Sequence, residues 1–313
     1  MKIWKVLFIG IGSIAKRHIK NLTVLMEQRK EKLQIDAFRS SEGYLISDDT
    51  RNYITEVYYS EEKVPEDYDV VFVTNPTQMH LQAIERFCQK GRHFFIEKPL
   101  CTAEQLRDVK TDLCSGNVYY VAAPLRYSSV IQYVKTHINP KDVLSIRCIS
   151  SSYLPEWRPG VDYRDTYSAH RKLGGGVSID LIHEWDYITY LFGFPVKVEK
   201  YIRQISELEI DSDDIAVYIA DFGHMLAEVH VDYIGRSPMR RMEVITKDDT
   251  IICDLLESSV HYKKSGQHIA FEQERDGYQI DELKYFWSLI DTQTYGNENV
   301  RHAYKVLEIA GGV

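Results

Sequence analysis

The sequence feature that most constrains the fold is a glycine-rich segment that directly follows the first apolar run. It reads Gly-Ile-Gly-Ser-Ile-Ala, the GxGxxA pattern of a dinucleotide-binding turn. In such a turn Gly10 allows the sharp bend, Gly12 lets the backbone approach a pyrophosphate, and Ala15 permits close packing of helix on strand. The helix that begins near Ser13 and Ile14 would add partial positive charge. We predict that this segment holds the phosphates of a dinucleotide.

The first 122 residues alternate short apolar runs with helix-like stretches, a pattern typical of βαβ units around a parallel sheet. One run contains Val-Val-Phe-Val, the continuous apolar composition of a strand buried on both faces. The predicted strands are Trp4–Ile9, Leu33–Phe38, Ile54–Tyr59, Asp69–Val73, Arg92–Ile96 and Val118–Ala122. The predicted helices lie at about 13–30, 77–90 and 102–115.

After Tyr120 the pattern changes to a strand-rich one. The chain has 313 residues, 44% of them hydrophobic, which is too long for one average domain. We therefore predict two domains, residues 1–122 and 123–313. In the second, helices are expected at 124–138, 177–192, 279–291 and 297–310, and strands at Val143–Tyr153 and repeatedly between Val196 and Phe271.

Composition narrows the classes of function. The net charge of −8 argues against nucleic-acid binding. The N-terminal sequence does not resemble a signal peptide, and no apolar segment approaches the roughly 18 residues that span a membrane. We expect a cytoplasmic protein with no membrane partner. No metal site is expected, because the cysteines lack ligand spacing and Tyr187 stands where an HExxH motif needs its second histidine. The cysteines, expected to pack as small apolar residues, are Cys88, Cys101, Cys114, Cys148 and Cys253.

The residue after the second strand is expected to choose between NAD and NADP. If that strand ends at Phe38, Arg39 faces the adenosine ribose, and together with Ser40 it would suit the 2′-phosphate of NADP. If the register is shifted, Asp36 takes this position and would bind the ribose hydroxyls of NAD. The sequence favours NADP, with NAD as the alternative.

Four segments in this order resemble the glucose–fructose oxidoreductase / inositol dehydrogenase (Gfo/Idh/MocA) family over essentially the whole chain. They are Gly10–His18 in the form GxGxxAxxH, Thr74-Asn75-Pro76 with His80, Glu97-Lys98-Pro99, and Gly174-Gly175-Gly176 followed by Asp180 and His183. The resemblance implies an N-terminal Rossmann domain and a C-terminal α+β domain with an open, mainly antiparallel sheet, with the active site between them. It also implies a homodimer or homotetramer, in agreement with the apolar stripes of the predicted second sheet.

The resemblance implies that Lys98 is a catalytic or substrate-orienting residue. A lysine just past the carboxyl end of a strand can hold a substrate hydroxyl and stabilise the alkoxide as hydride leaves. Glu97 would contact the nicotinamide ribose or the lysine. Thr74, Asn75 and Pro76 are expected to contact the cofactor. His80 is expected to be structural or near the ribose.

Asp180 and His183 are three residues apart, so in one helix they would share a face. An imidazole can take the proton of an alcohol as hydride is removed, and Asp180 can orient a substrate hydroxyl or the ring. In most members of the family the histidine follows the aspartate by four residues. Whether His183 or Lys98 is the acid–base group therefore stays open.

A substrate-binding role is expected for an aromatic and cationic segment before the three glycines, because aromatic faces pack on sugar rings and arginines bind phosphate or carboxylate in a bidentate way. Its candidates, together with one arginine upstream, are Arg126, Trp157, Arg158, Tyr163 and Arg164.

The favoured function is an NAD(P)-dependent oxidoreductase that transfers hydride to or from a secondary alcohol or ketone of a sugar, a cyclitol or a (nucleotide-)sugar derivative. One alternative is a glycoside hydrolase that uses NAD in an internal redox cycle. Another is a non-catalytic dinucleotide-binding regulator, which would have no need for the set formed by Lys98, Asp180 and His183.

Overall fold

The computed structural model describes residues 2–43, 45–109, 116–296 and 298–311, and the chain divides into two compact units. The first unit comprises residues 1–122 and 279–304, and the second comprises residues 123–278 and 305–313. The sequence analysis drew one boundary, after residue 122, and assigned residues 279–304 to the second domain. Cys114 lies outside the described residues.

The first unit is built on six strands: β1 (Ile3–Ile9), β2 (Lys32–Phe38), β3 (Val57–Tyr58), β4 (Tyr68–Val73), β5 (Gly91–Ile96) and β6 (Tyr119–Val121). All neighbours pair in parallel, in the order β3-β2-β1-β4-β5-β6. This is the strand order of the Rossmann fold, so that prediction is confirmed. The order reverses between β1 and β4, and ligands of open α/β sheets bind at the carboxyl ends of the strands beside such a point.

The helices of the chain are α1 (Ser13–Arg29), α2 (Asp48–Arg51), α3 (His80–Phe87), α4 (Ser129–His137), α5 (Val177–Asp180), α6 (His183–Phe192), α7 (Arg275–Asp291) and α8 (Glu298–Gly311). Within the described residues, none of these helices combines the length and the apolar character needed to cross a membrane.

The predicted helix at 102–115 is wrong over its described part. Only a 3₁₀ turn forms there, at Glu104–Asp108, and Val109 already has an extended backbone. The side chain of Gln105 makes two hydrogen bonds at this turn. Its amide oxygen accepts a hydrogen bond from Thr102 N at 3.2 Å, and its amide nitrogen donates one to the carbonyl oxygen of Gln78 at 2.9 Å.

Hydrophobic clusters cover both faces of the first sheet, because successive side chains of a strand point to opposite sides. One cluster includes side chains of α7. Trp287 is fully buried with its ring centre 5.7 Å from that of Trp4, and Phe286 lies 5.4 Å from Phe95. These aromatic contacts are the physical reason that residues 279–304 belong to the first unit although they come late in the chain.

The second unit is built on eight strands: β7 (Val143–Tyr153), β8 (Lys197–Arg203), β9 (Ile215–Asp221), β10 (Leu226–Asp232), β11 (Ile234–Thr246), β12 (Thr250–Asp254), β13 (Ser259–Tyr262) and β14 (His268–Ala270). Their order is β14-β13-β12-β11-β7-β10-β9-β8, and only β7 and β10 pair in parallel. The predicted open, mainly antiparallel sheet is confirmed. Exposed apolar side chains on β8, β9 and β10 include Tyr201, Ile219 and Leu226.

Candidate active site

The glycine-rich turn after β1 has the properties that a dinucleotide needs. Gly10 has a φ of +85°, and a Cβ added to it would lie 2.9 Å from the Cα of Asn75, so only glycine fits. A Cβ added to Gly12 would meet no described atom within 4 Å, so this side of the turn is open. Helix α1 begins here with no side-chain cap and no acidic residue in its first turn. Its free N–H groups therefore suit an anion.

A buried threonine ties the loop after β4 to this turn. The hydroxyl of Thr74 lies 3.0 Å from the carbonyl oxygen of Ile9 and 2.8 Å from that of Gly10, and both can accept its proton. Asn75 and Pro76 follow, so the residues expected to contact the cofactor stand beside the glycine-rich turn.

The two candidates for ribose recognition have different surroundings. Asp36 is buried in the middle of β2, where its carboxylate accepts hydrogen bonds from the backbone N–H of Glu56 at 3.1 Å and from the hydroxyl of Tyr68 at 2.7 Å. Burial and this carboxylate raise the pKa of Tyr68, so the phenol stays a donor. Arg39 is the first residue after β2, as the sequence predicted for a strand that ends at Phe38. Its backbone N–H donates to Tyr58, and Ser40 beside it is exposed.

Glu97 has a partner that the sequence analysis did not assign. Its carboxylate lies 2.5 Å from Nε2 of His18 on α1, and both side chains are largely buried. Burial favours the neutral acid, but the hydrogen bond from His18 and the charges of His18 and Lys98 hold the pKa of Glu97 below its ordinary value. The residue before Lys98 is thus an ionised carboxylate held by the helix of the glycine-rich turn. The only sequence signal was the position of His18 in the GxGxxAxxH pattern.

His80 lies between two loops. It is the first residue of α3 and is 1% exposed. Its Nδ1 is 2.9 Å from the carbonyl oxygen of Pro99, and its Nε2 is 2.9 Å from that of Asn75. Burial lowers the pKa of His80, although both carbonyls oppose this, and a neutral ring donates to one of them in each tautomer.

The three glycines of the second unit are explained by close packing. Gly174 and Gly176 have φ values of +87° and +126°. A Cβ on Gly175 would overlap the carbonyl oxygens of Tyr167 and Ser168, and one on Gly176 would overlap the carboxylate of Asp213. That carboxylate in turn accepts a hydrogen bond from Ser178 N at 2.8 Å, which fixes the start of α5.

Asp180, the last residue of α5, lies between two tyrosines that the sequence analysis had not singled out. Tyr233 donates a hydrogen bond of 2.5 Å to its carboxylate. Tyr167 is hydrogen-bonded to it as well, and burial together with the charge of Asp180 raises the pKa of both phenols. Asp180 itself is only 5% exposed, whereas Tyr167 is 38% exposed. The carboxylate is therefore held by two phenols, one of which reaches the surface.

The predicted single helix at 177–192 is wrong, because α5 ends at Asp180 and α6 begins at His183. Between them Leu181 has φ −97° and ψ 30°, outside the helical region. All six residues of 177–182 are buried. The break therefore lies within a fully buried segment. The argument that Asp180 and His183 share one helical face does not hold, and His183 is a partly exposed residue at the start of its own helix.

The sequence-predicted arginines differ in their partners. Arg126 forms two hydrogen bonds with Asp186, of 2.8 and 2.5 Å. Arg164 is paired at the surface with Asp162 and Glu209. The guanidinium of Arg158 instead lies 5.6 Å from the ring centre of Tyr167. Of the three, Arg158 is therefore the one that the structure brings close to Asp180.

The two aromatic candidates, Trp157 and Tyr163, also have different partners. The ring of Trp157 lies 5.1 Å from that of Tyr233 in an edge-to-face contact. Tyr163 lines a small pocket together with Trp157 and Arg158, and its hydroxyl accepts a hydrogen bond from Glu209 N at 3.2 Å. Trp157 and Arg158 thus lie against the two tyrosines that hold Asp180, whereas Arg164 belongs to a surface network.

Comparison with protein families gives a match in the first unit. A family model described as the oxidoreductase family with an NAD-binding Rossmann fold (Gfo/Idh/MocA) matches residues 4–121. The chain is also 26% identical over 195 residues to the uncharacterized oxidoreductase YrbE of Bacillus subtilis (strain 168), an alignment that covers 60% of this chain and 53% of that protein. The chain thus matches about half the length of this relative.

Solved structures match over nearly the whole chain. Levoglucosan dehydrogenase in complex with NADH and levoglucosan has a TM-score of 0.84 at 16% identity, covering 99% of this chain and 95% of that one. UDP-N-acetylglucosamine 3-dehydrogenase GnnA from Acidithiobacillus ferrooxidans has a TM-score of 0.78 at 19% identity, covering 100% and 97%. At these identities the likeness shows a shared fold. Together with the family match, it confirms the resemblance inferred from the four sequence segments.

Proposed function

We propose, from the premise that this chain belongs to the Gfo/Idh/MocA family of NAD-binding oxidoreductases, that it is an NAD(P)-dependent dehydrogenase or reductase. It would transfer hydride to or from a secondary alcohol or ketone of a sugar, a cyclitol or a (nucleotide-)sugar derivative. The observation that carries the proposal is that three loops follow the carboxyl ends of β1, β4 and β5, where such sheets bind ligands. They are Gly10–Ala15, Thr74–Pro76 and Glu97–Pro99.

The cofactor site of the proposal uses the open side of Gly12 and the uncapped start of α1 for the pyrophosphate. The residues that would hold the cofactor are Gly10, Gly12, Ser13, Ile14, Arg39, Ser40, Thr74, Asn75, Pro76, Glu97 and Lys98. His80 was also predicted to contact the cofactor. It would act on the cofactor indirectly, through the loops of Asn75 and Pro99 that its ring contacts. When bound, the nicotinamide supplies the hydride donor or acceptor.

We favour NADP over NAD. Asp36 already accepts two hydrogen bonds inside the sheet, so it is poorly suited to bind the ribose diol. Arg39 stands directly after β2, where a cation can bind the 2′-phosphate.

Lys98 is proposed as the group that holds and polarises the reacting oxygen. Lys98 directly follows Glu97, whose pKa is lowered by the hydrogen bond from His18 and by the charges of His18 and Lys98. A charged lysine donates to the substrate oxygen and stabilises negative charge as the hydroxyl proton departs. In the second unit, Asp180 and His183 are proposed to orient the substrate and to exchange that proton.

Substrate contacts are proposed for Trp157 and Arg158. Trp157 packs against Tyr233, and Arg158 lies near the ring of Tyr167. Both tyrosines are hydrogen-bonded to the Asp180 carboxylate. An indole packs on a sugar ring, and a guanidinium that already lies on a tyrosine can also bind an anionic substituent. The other three candidates already form hydrogen bonds or ion pairs with neighbouring residues, so we propose that they support the shape of the substrate site. They are Arg126, Tyr163 and Arg164.

The protein is proposed to form a homodimer or homotetramer in the cytoplasm. Tyr201, Ile219 and Leu226 leave apolar area on β8, β9 and β10 of the second sheet, and self-association would cover it. A reducing compartment fits Cys101 and Cys253, because both are free, buried thiols. Light scattering should give a mass of at least two chains, and a monomer at micromolar concentration would contradict the assembly.

The test is a thermal-shift comparison of NAD(H) and NADP(H), followed by a panel of sugars, cyclitols and nucleotide sugars in which the absorbance of the reduced nicotinamide is followed. Net formation or consumption of reduced nicotinamide supports a dehydrogenase. Release of a sugar with no net change would indicate the hydrolase with an internal redox cycle. Binding of the dinucleotide without turnover across the panel would favour the regulator.

A further inference from the structure

His80 is a buried side chain that the proposed chemistry does not use. Its backbone is fixed as the first residue of α3, and the side chain is 1% exposed. Both ring nitrogens lie 2.9 Å from backbone carbonyl oxygens, and the two carbonyls belong to different loops. Asn75 belongs to the loop after β4, and Pro99 to the loop after β5.

These loops carry different parts of the proposed function, on which the inference rests. The loop after β4 is tied to the glycine-rich turn by Thr74, whose hydroxyl lies 2.8 Å from the carbonyl oxygen of Gly10. The loop after β5 carries Lys98, one residue before Pro99. A continuous series of contacts therefore runs from the phosphate-binding turn to the lysine, and His80 is the member that crosses from one loop to the other.

We propose that His80 is a positioning residue that sets the spacing between the cofactor-binding loop and the lysine-bearing loop. The ring is rigid, and each of its nitrogens lies 2.9 Å from a carbonyl oxygen of a different loop. The neutral ring donates to one of these carbonyls in each tautomer and packs against the other, so the size of the ring sets the distance between the two loops. The ring is itself held in place, because the backbone of His80 forms the first residue of α3. Positioning matters in hydride transfer because an error of about 1 Å between reacting groups can cost on the order of 10²-fold in rate.

A second side chain joins nearby segments and supplies a matched control. Gln105 accepts a hydrogen bond from Thr102 and donates one to the carbonyl oxygen of Gln78. It links the same two stretches of chain as His80, but at residues that lie beyond Asn75 and Pro99. Loss of this link should lower stability without changing the distance between cofactor and lysine.

The experiment compares His80→Phe, His80→Asn and His80→Gln with Gln105→Leu in the full chain. Far-UV circular dichroism and Tm establish that each variant is folded. Titration with NADPH and with NADH, followed by fluorescence, gives the cofactor Kd without any substrate. Turnover is then measured with the sugar that the substrate panel identifies.

His80→Phe keeps a ring but removes both polar contacts, so the Kd should rise by about three- to tenfold, the scale of a lost hydrogen bond. We also expect kcat to fall by on the order of tenfold or more. His80→Asn and His80→Gln each keep one amide donor, and each should recover part of the loss. Gln105→Leu should lower Tm while kcat and Kd stay near those of the wild type.

The inference is overturned if folded His80→Phe keeps kcat and Kd within about twofold of the wild type, or if Gln105→Leu loses as much of either as His80→Phe does. Should His80→Phe not fold, the Asn and Gln variants carry the test, and unchanged kcat and Kd in both would overturn it. Failure of the proposed function is distinguishable, because the wild type would then show no net nicotinamide turnover with any sugar of the panel, whereas the effect of His80→Phe on cofactor Kd could still be measured.

Discussion

Tyr233 donates a 2.5 Å hydrogen bond to the carboxylate of Asp180, which precedes it by 53 residues. Burial and the charge of Asp180 raise the pKa of this phenol, so Tyr233 keeps its proton and acts only as a donor. The carboxylate is thus held by a tyrosine from the junction between β10 and β11, far in sequence from the helix that carries Asp180. The catalytic value of Asp180 should therefore depend on Tyr233.

Asp180→Asn should lower kcat by less than the loss of an acid–base group, because an amide can still orient a hydroxyl. Tyr233→Phe removes only the hydrogen bond and should lower kcat by roughly three- to tenfold. Tyr187→Phe is the matched control, since it removes a buried phenol of the same unit whose partner is Cys148 at 2.9 Å. Steady-state kinetics of the folded variants check this, and equal losses in Tyr233→Phe and Tyr187→Phe would show that the contact to Asp180 has no special role.

Arg39→Asp should weaken NADPH binding far more than NADH binding. The change removes a cation and adds a carboxylate that repels a 2′-phosphate, whereas NADH lacks that phosphate. Arg92→Asp makes the same change of charge at an exposed residue near the amino end of β5. This end of the parallel strands is opposite to the carboxyl ends where the cofactor is proposed to bind, so both affinities should stay nearly unchanged. Fluorescence titration with both cofactors is the measurement. Equal losses for the two cofactors in Arg39→Asp would mean that Arg39 does not face the ribose.

Glu97→Gln should lower stability in a pH-dependent way. The folded-state pKa of Glu97 lies below its ordinary value, so the ionised group stabilises the fold above that ordinary value. This contribution is lost as the pH falls through the folded-state pKa. At neutral pH we expect a loss of about 1–3 kcal/mol, the range for hydrogen bonds to charged groups, which corresponds to several degrees in Tm.

The control for this prediction is Glu66→Gln, because Glu66 forms an exposed ion pair with Lys90 at 3.1 Å. Such a surface pair contributes little, so its Tm should stay near that of the wild type. Thermal unfolding of the three proteins from neutral to acidic pH should show the gap between Glu97→Gln and the wild type narrowing in acid. A gap that stays constant would mean that Glu97 is not held as a carboxylate.

Much of the first unit could be predicted from the sequence, because parallel strands buried on both faces leave continuous apolar runs such as Val70–Val73. The place of α7 could not be predicted, since nothing local to Trp287 shows that it packs against Trp4. The break after Asp180 was missed for a related reason. Every residue from 177 to 182 is buried, and this burial depends on packing against distant segments that the local sequence does not show.

The candidate site was predictable where a motif fixes spacing and not where partners come from distant segments. Lys98 and Asp180 belong to short patterns and could be named. With 22 tyrosines in the chain, nothing in the sequence distinguishes Tyr167 or Tyr233. The same limit applied to Arg126, whose pairing with Asp186 depends on packing between α6 and the turn before α4.

The division of labour between Lys98 and His183 is tested by their alanine variants. Each single variant should lower kcat by on the order of 10²-fold or more if the residue exchanges or stabilises the proton. If the two residues serve one step, the double variant should lose less than the product of the single losses. If His183→Ala keeps near-normal kcat across pH while Lys98→Ala is inactive, then Lys98 is the acid–base group and His183 a packing residue.

The central claim is that the chain performs nicotinamide-dependent redox chemistry at Lys98, and one paired measurement tests it most directly. Wild type and Lys98→Ala are compared for the rate of change in reduced nicotinamide with the best sugar of the panel, and for cofactor Kd. We expect the rate to fall by on the order of 10²-fold in Lys98→Ala at nearly unchanged Kd, since the glycine-rich turn is untouched. A wild type without any net nicotinamide turnover, or a Lys98→Ala variant as fast as the wild type, would contradict it.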